Sequence, residues 1–225
     1  ELQKVLDQMV KDGKTAEISK KWFGTDIYFN DAKLPNEINP SSSDDSLKKI
    51  QDKKKIVLGL DDNFPPMGFR DDSGKIVGFD IDLATEAAKR MGVELQLQPI
   101  DWAAKELELN SGKIDVIWNG LTITPERLDA MLFTKPYVAN RQVIIVPKNS
   151  KIKTKADLAG KTVGLQAGSS SLDALNKDEK TKSSLKSVSE YPDNLTAFLD
   201  LKAGRIDAFV VDEIVGRYIL SNQAK

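Results

Sequence analysis

One pattern occurs twice in this chain: Leu107-x-Leu109-x-Ser111-Gly112-Lys113-Ile114-Asp115 returns as Leu199-x-Leu201-x-Ala203-Gly204-Arg205-Ile206-Asp207. Each copy reads as a helix end, a glycine whose left-handed backbone stops it, a basic residue and the start of a strand. Helix-glycine-strand joints are common in α/β proteins, so the echo alone suits chance and duplication about equally. The extended run Gln142-Val143-Ile144-Ile145-Val146, closed by Pro147, lies between the copies and tips the reading toward two α/β lobes.

The rest of the chain fits that frame. Leu2, Val5, Leu6, Met9 and Val10 recur at helical spacing until Gly13, and a second helix carries Ile18, Trp22 and Phe23 to Gly24. Pro35, Pro40, Ser41 to Ser43 and several Asp/Asn make a linker. After it, Ile56-Val57-Leu58 predicts a buried strand, Asp71 to Gly74 a turn, and Asp80 an N-cap for a helix bearing Ala84, Ala87, Ala88 and Met91 and ending at Gly92. A strand through Val93, Leu95 and Leu97, a helix near 103–109 and a strand at Asp115 to Trp118 follow, so strands and helices alternate, as in parallel sheets. In the second half a strand leads to Leu165, a helix from Leu195 to Ala203 turns Phe198 and Leu199 inward, and Ile206 to Val211 is a strand.

Composition removes most catalytic classes. The 225 residues include no His and no Cys, which excludes Ser-His-Asp and Cys nucleophile chemistry, disulfides and Cys/His zinc sites. Lys+Arg 33 against Asp+Glu 34 leaves no basic excess for nucleic acid. No apolar run reaches the ~20 residues of a membrane-spanning helix, and no signal-peptide pattern opens the chain, which reads as mature or trimmed. Neither a metal nor a cofactor is expected.

The candidate site residues share one position, just after predicted strands, where open α/β sheets bind ligands. Gly120-Leu121-Thr122-Ile123-Thr124-Pro125-Glu126-Arg127 offers N–H groups, a hydroxyl and a guanidinium to a carboxylate, or else an ordinary cap with Thr124 as N-cap, Pro125 at N1 and Arg127 solvated. Asp61 ends the first strand, and Phe64, stiffened by Pro65-Pro66, and Trp102 are candidate aromatic walls, or else packing. Gln166-Ala167-Gly168-Ser169-Ser170-Ser171 is a second N–H-rich loop, and Asp212 suits an ammonium unless it is only solvated. Together these groups describe a site for a zwitterion.

Val77-Gly78-Phe79-Asp80-Ile81-Asp82-Leu83, Gly120 to Arg127, Phe133-Thr134-Lys135-Pro136-Tyr137 and Gly204 to Asp212-Glu213 resemble, in order, the periplasmic-type amino-acid-binding proteins of ABC importers, the cluster of glutamine and lysine/arginine/ornithine binders. The resemblance implies a two-lobed type II periplasmic-binding-protein fold, each lobe a mostly parallel sheet flanked by helices, closing on one free polar or basic L-amino acid without a reaction. It implies that Arg127, Thr122 and the Ser170 backbone take the α-carboxylate, that Asp212 and the Gly120 carbonyl take the α-ammonium, that Phe64 and Trp102 flank the ligand, and that Asp61 and Gln166 face its side chain. It further implies an ABC permease as partner, an extracytoplasmic setting and a membrane reached only through a tether or permease. The Ser41 to Ser43 tract is similar to a lipoprotein tether.

Two departures accompany the likeness. The segment Lys21-Trp22-Phe23-Gly24 comes first here, whereas the family carries its counterpart last, so the order is expected to be circularly permuted. The family's last strand and return crossover have no counterpart before Lys225. The expected layout is C-terminal-type helices at 1–29, a linker at 30–50, lobe 1 at 51–140, a crossover hinge at 141–147 and lobe 2 at 148–225. A permuted or truncated scaffold with impaired binding is one alternative. A second is an enzyme on a similar frame, either a cyclohexadienyl dehydratase or a lytic transglycosylase, using Asp61, Glu126 or Glu213.

Overall fold

A computed structural model describes residues 1–35 and 44–223. The Ser41 to Ser43 tract and Pro40 of the expected linker lie outside the described residues. In chain order the elements are α1 (Leu2–Lys11), α2 (Lys14–Phe23), α3 (Ser46–Asp52), β1 (Lys55–Leu60), β2 (Asn63–Phe64), β3 (Gly68–Arg70), β4 (Ile76–Val77), α4 (Phe79–Met91) and β5 (Glu94–Pro99). A short 3-10 turn at Trp102–Ala104 precedes α5 (Lys105–Asn110), β6 (Val116–Ile117), α6 (Pro125–Ala130) and β7 (Gln142–Ile145). Then come a second 3-10 turn (Lys155–Leu158), β8 (Thr162–Gln166), α7 (Ser170–Lys177), α8 (Glu179–Ser184), β9 (Ser187–Tyr191), α9 (Asn194–Lys202), β10 (Ala208–Asp212) and α10 (Glu213–Gln223).

The chain divides into two compact units. The first holds 1–60, 67–100 and 105–139, and the second holds 61–66, 101–104 and 140–225. Asp61, Phe64 and Trp102, expected on the first lobe, group with the second unit, and β7 within the expected hinge is a strand of that unit's sheet.

In the first unit β1 is the central strand, parallel to β5 on one side and to β6 on the other. The helix α4 packs between β5 and the N-terminal helices and buries Phe79, Leu83, Ala84, Ala87 and Ala88. Phe79 is wholly buried and contributes about 1.5–3 kcal/mol of apolar burial. The N-terminal helices α1 and α2 pack on α4: Phe23 meets Phe79 edge-on at 5.1 Å, and Trp22 Nε1 donates to Asp82 Oδ2 at 2.8 Å.

In the second unit the order is β7-β10-β8-β9, with β8 parallel to β9 and β10 and with β7 antiparallel at the edge. The repeated pattern has the same geometry in both units. Asp115 Oδ2 accepts the Val57 N–H at 2.7 Å, and Asp207 Oδ2 accepts the Thr162 N–H at 2.8 Å. A side chain on Gly59 would collide with Ile114, and one on Gly164 with Ile206, each at 2.4 Å. Each glycine sits in an interior strand, where the isoleucine of the pattern crosses it.

Several expectations are corrected. Asp80 is not an N-cap: α4 begins at Phe79, its cap is Gly78 at φ 148, and Asp80 is buried inside the first turn. Leu199 points outward at 60% exposure, and Phe198 and Leu201, three residues apart, face in. Residues 46–50, expected as linker, belong to α3. The strand expected at Asp115 to Trp118 is confined to Val116 and Ile117.

Candidate functional site

In the first unit the loop after β6 turns at Gly120, whose φ is +59, and runs into α6. The cap expected there forms: Thr124 Oγ1 accepts the Arg127 N–H at 3.3 Å, with Pro125 in the first turn. Arg127 is nevertheless not solvated. It is 5% exposed, and its Nη1 donates to the Thr122 carbonyl at 2.9 Å, so the loop that ends at the arginine also holds its guanidinium. The cap uses the Arg127 backbone N–H and leaves its guanidinium to the Thr122 carbonyl.

That loop is fastened from below. Asp80 Oδ2 accepts the Gly120 N–H at 2.7 Å, and Oδ1 accepts the Tyr137 hydroxyl at 2.9 Å. Burial pushes the Asp80 carboxyl up to about 7, with the Tyr137 and Gly120 donors pulling the other way. Burial also raises Tyr137 well above the ordinary tyrosine range, and the nearby Asp80 carboxylate adds to it. Sequence reasoning missed both roles, although Asp80 and Tyr137 lie in the very segments that carry the family likeness.

In the second unit Asp61, Phe64, Trp102 and Gln166 are all buried. Gln166 Nε2 donates to Asp61 Oδ2 at 2.7 Å, while Asp61 Oδ1 accepts the Asn63 N–H at 2.9 Å. Burial lifts the Asp61 carboxyl to about 6 against those two donors. Trp102 is set by a close backbone approach: Gly168, at φ +63, lies so near the turn that a Cβ on it would stand 2.9 Å from Ala103 Cα. Only glycine fits there on both counts.

Asp212 ends β10 at 7% exposure. It accepts from Gln142 Nε2 at 2.7 Å and from Asn140 Nδ2. Gln142 also donates to Ser170 Oγ at 3.0 Å and accepts the Ser171 hydroxyl at 2.5 Å, so it joins the Asp212 carboxylate to the first turn of α7. Ser169 caps that helix, its Oγ accepting the Leu172 N–H at 3.4 Å. Asn140 and Gln142 were not foreseen, since neither carries a local signature in the sequence.

Gly120, Thr122 and Arg127 thus lie in the first unit; in the second, Gln166 is bonded to Asp61, Gln142 links Ser170 to Asp212, and Phe64 and Trp102 are buried. Among the described residues no group of three or more His, Cys, Asp or Glu could hold a metal ion, and no helix is long and apolar enough to cross a membrane.

Known proteins resemble this chain in sequence and in fold. Residues 56–201 match the family described as bacterial extracellular solute-binding proteins, family 3. The chain belongs to that family. Its homologues are amino-acid-binding proteins of ABC importers. The L-cystine-binding protein TcyJ of Escherichia coli (strain K12) is 36% identical over 172 residues, 75% of this chain and 62% of the relative. The arginine-binding extracellular protein ArtP of Bacillus subtilis (strain 168) is 33% identical over 175 residues, 76% of this chain and 66% of the relative. The chain thus spans less than two thirds of the length of these curated relatives. An ABC uptake transporter substrate-binding protein from Streptococcus pneumoniae with bound histidine superposes with a TM-score of 0.78 at 40% identity, over 82% of this chain and 76% of that one. An ancestral amino acid-binding protein, AncCDT-1, described as a precursor of cyclohexadienyl dehydratase, matches with a TM-score of 0.74 at 33% identity, over 79% of this chain and 78% of that one. These are solved structures of type II periplasmic amino-acid-binding proteins, which is the fold class of this chain.

Proposed function

We propose that this chain binds a free polar or basic L-amino acid, leaves it chemically unchanged, and serves the permease of an ABC importer outside the cytoplasm. The observation that carries the reading is Arg127, a buried cation whose guanidinium is held by its own loop at Thr122. A guanidinium so fixed suits the two oxygens of an α-carboxylate, with Thr122 and the Ser170 backbone as further donors. Asp212 and the Gly120 carbonyl take the α-ammonium. Phe64 and Trp102 supply apolar walls for the ligand's stem, and Asp61 receives the end of its side chain. The histidine, arginine and cystine binders among the relatives support an amino acid as the ligand class.

A dehydratase reading draws on the ancestral neighbour. It needs a carboxyl group ready to give up a proton. Glu213 is poorly suited, since Arg141 and Arg217 pull its carboxyl down to about 2 and leave it an ion pair. Asp61, at about 6, has a suitable value, yet Gln166 and Asn63 already occupy both of its oxygens with donors. We infer that neither acts as an acid. Equilibrium binding of the common L-amino acids, with prephenate and arogenate turnover assayed alongside, tests the choice: saturable binding without turnover supports the binder, and turnover of either compound overturns it.

A further inference from the structure

Gln166 closes β8 with its side chain 1% exposed, and every hydrogen-bonding end of its amide is matched. Nε2 donates to Asp61 Oδ2 at 2.7 Å and to the Pro192 carbonyl at 3.0 Å. Oε1 accepts from Asn194 Nδ2 at 2.9 Å. A primary amide has a donor end and an acceptor end, so a reversed Gln166 would set its oxygen against a carboxylate and a carbonyl, and its nitrogen against another N–H donor. Of its three partners, Asn194 alone addresses the acceptor end. Asn194 is itself 2% exposed, fixed at the first position of α9 just after Asp193, whose carboxylate caps the helix through Thr196 N at 2.8 Å.

We infer that Asn194 is a positioning residue for ligand selection: by anchoring the Gln166 oxygen it keeps the Gln166 N–H on Asp61, which fixes the Asp61 carboxylate as an acceptor for a cationic, proton-donating ligand side chain. The inference rests on the proposed function, in which Asp61 faces the ligand's side chain. An ionised carboxylate has about four lone-pair directions, and the donors from Gln166 and Asn63 set how it is oriented. Gln166 is then a strut within the protein and not a partner for a ligand amide, because both ends of its own amide are engaged. With the Gln166 oxygen turned toward Asp61, the carboxylate would lose a donor, gain a repulsive neighbour and shift within the site.

The test compares L-arginine with L-citrulline, which keeps the length of the side chain and replaces the guanidinium by a neutral urea. Asn194→Asp removes the donor and sets a carboxylate against Gln166 Oε1; Asn194→Ser keeps a hydroxyl donor. The wild type is expected to prefer arginine at least tenfold, N194D to lose most of that preference through weaker arginine binding, and N194S to stay within about threefold of wild type. If N194D does not fold, Asn194→Thr against Asn194→Val repeats the comparison with and without a donor in side chains of nearly equal shape, and only the valine variant is expected to lose the preference. A preference in N194D, or in the valine variant, equal to that of wild type overturns the inference. So does equal loss in the donor-keeping and donor-lacking variants, or a wild type that binds amino acids yet takes citrulline as well as arginine. A wild type that binds no amino acid overturns the proposed function instead.

Discussion

Asp80 ties two segments of the first unit together: from the first turn of α4 its Oδ2 accepts the Gly120 N–H at 2.7 Å, and its Oδ1 accepts the Tyr137 hydroxyl at 2.9 Å. The loop that carries Thr122 and Arg127 therefore starts from a turn clamped to the helix packed on the sheet. A fully buried carboxylate is costly, and the raised value of about 7 expresses that cost.

The cost gives stability a pH dependence. A carboxyl raised from 3.8 to about 7 on folding keeps a proton that the unfolded chain has released. Its stabilising contribution is complete below the unfolded value and is lost as the pH rises through the folded one. Asp61, raised to about 6, acts in the same direction. Asp80→Asn cannot titrate, so its stability relative to wild type should climb between pH 4 and pH 8, by on the order of 4 kcal/mol at most. Urea unfolding of both proteins at several pH values measures this, and a difference that stays constant across the window refutes it.

Arg127→Ala should weaken amino-acid binding at least tenfold, since truncating one partner of a buried, hydrogen-bonded charge pair costs about 2–5 kcal/mol. Arg127→Lys should recover only part of that loss, because an ammonium cannot make the parallel pair of bonds that a guanidinium makes to a carboxylate. Titration calorimetry on both variants reads the two steps, and affinity at the wild-type level in Arg127→Ala removes the arginine from the site.

Gln142 joins Asp212, Ser170 and Ser171. Gln142→Ala leaves buried polar groups short of partners and should lower stability by about 1–3 kcal/mol. It should also weaken ligand binding, through a less fixed Asp212. Chemical denaturation and ligand titration of the one variant check both effects; unchanged affinity would limit Gln142 to a structural role.

Two glycine substitutions separate strain from crowding. Gly112 has φ +73 with open space around the missing Cβ, so Gly112→Ala should cost only the left-handed backbone, about 1–2 kcal/mol. Gly168 has φ +63 and a Cβ position 2.9 Å from Ala103 Cα, so Gly168→Ala should cost more and should also disturb Trp102. Thermal melts give the order of stabilities, and tryptophan fluorescence reports the second effect. Equal costs would contradict the crowding argument.

How far the sequence could be read follows from what each residue type signals alone. The paired pattern ending at Ile114-Asp115 and Ile206-Asp207 was legible because glycine stops and apolar spacing are local, and both copies fold alike. Leu199 was misplaced because neighbours on a helix lie about 100° apart, so Phe198 and Leu199 cannot both face the core squarely. Asp80 was misread as a cap because an acidic residue at a helix start is usually one, and only the fold brings Gly120 and Tyr137 to it. Asn140, Gln142 and Asn194 carry no local signature. Their roles arise when separated segments meet around Asp212 and Gln166.

The central claim is that the chain holds an amino acid by its α-carboxylate at Arg127. The most direct test is calorimetric titration of the wild-type protein with its best-bound L-amino acid and with the α-carboxamide of that same compound, which keeps the side chain and the ammonium but has no carboxylate. The account predicts a loss of at least tenfold in affinity for the carboxamide, and a much smaller loss when Arg127→Ala is titrated with the same pair. Equal wild-type affinity for acid and carboxamide would contradict it.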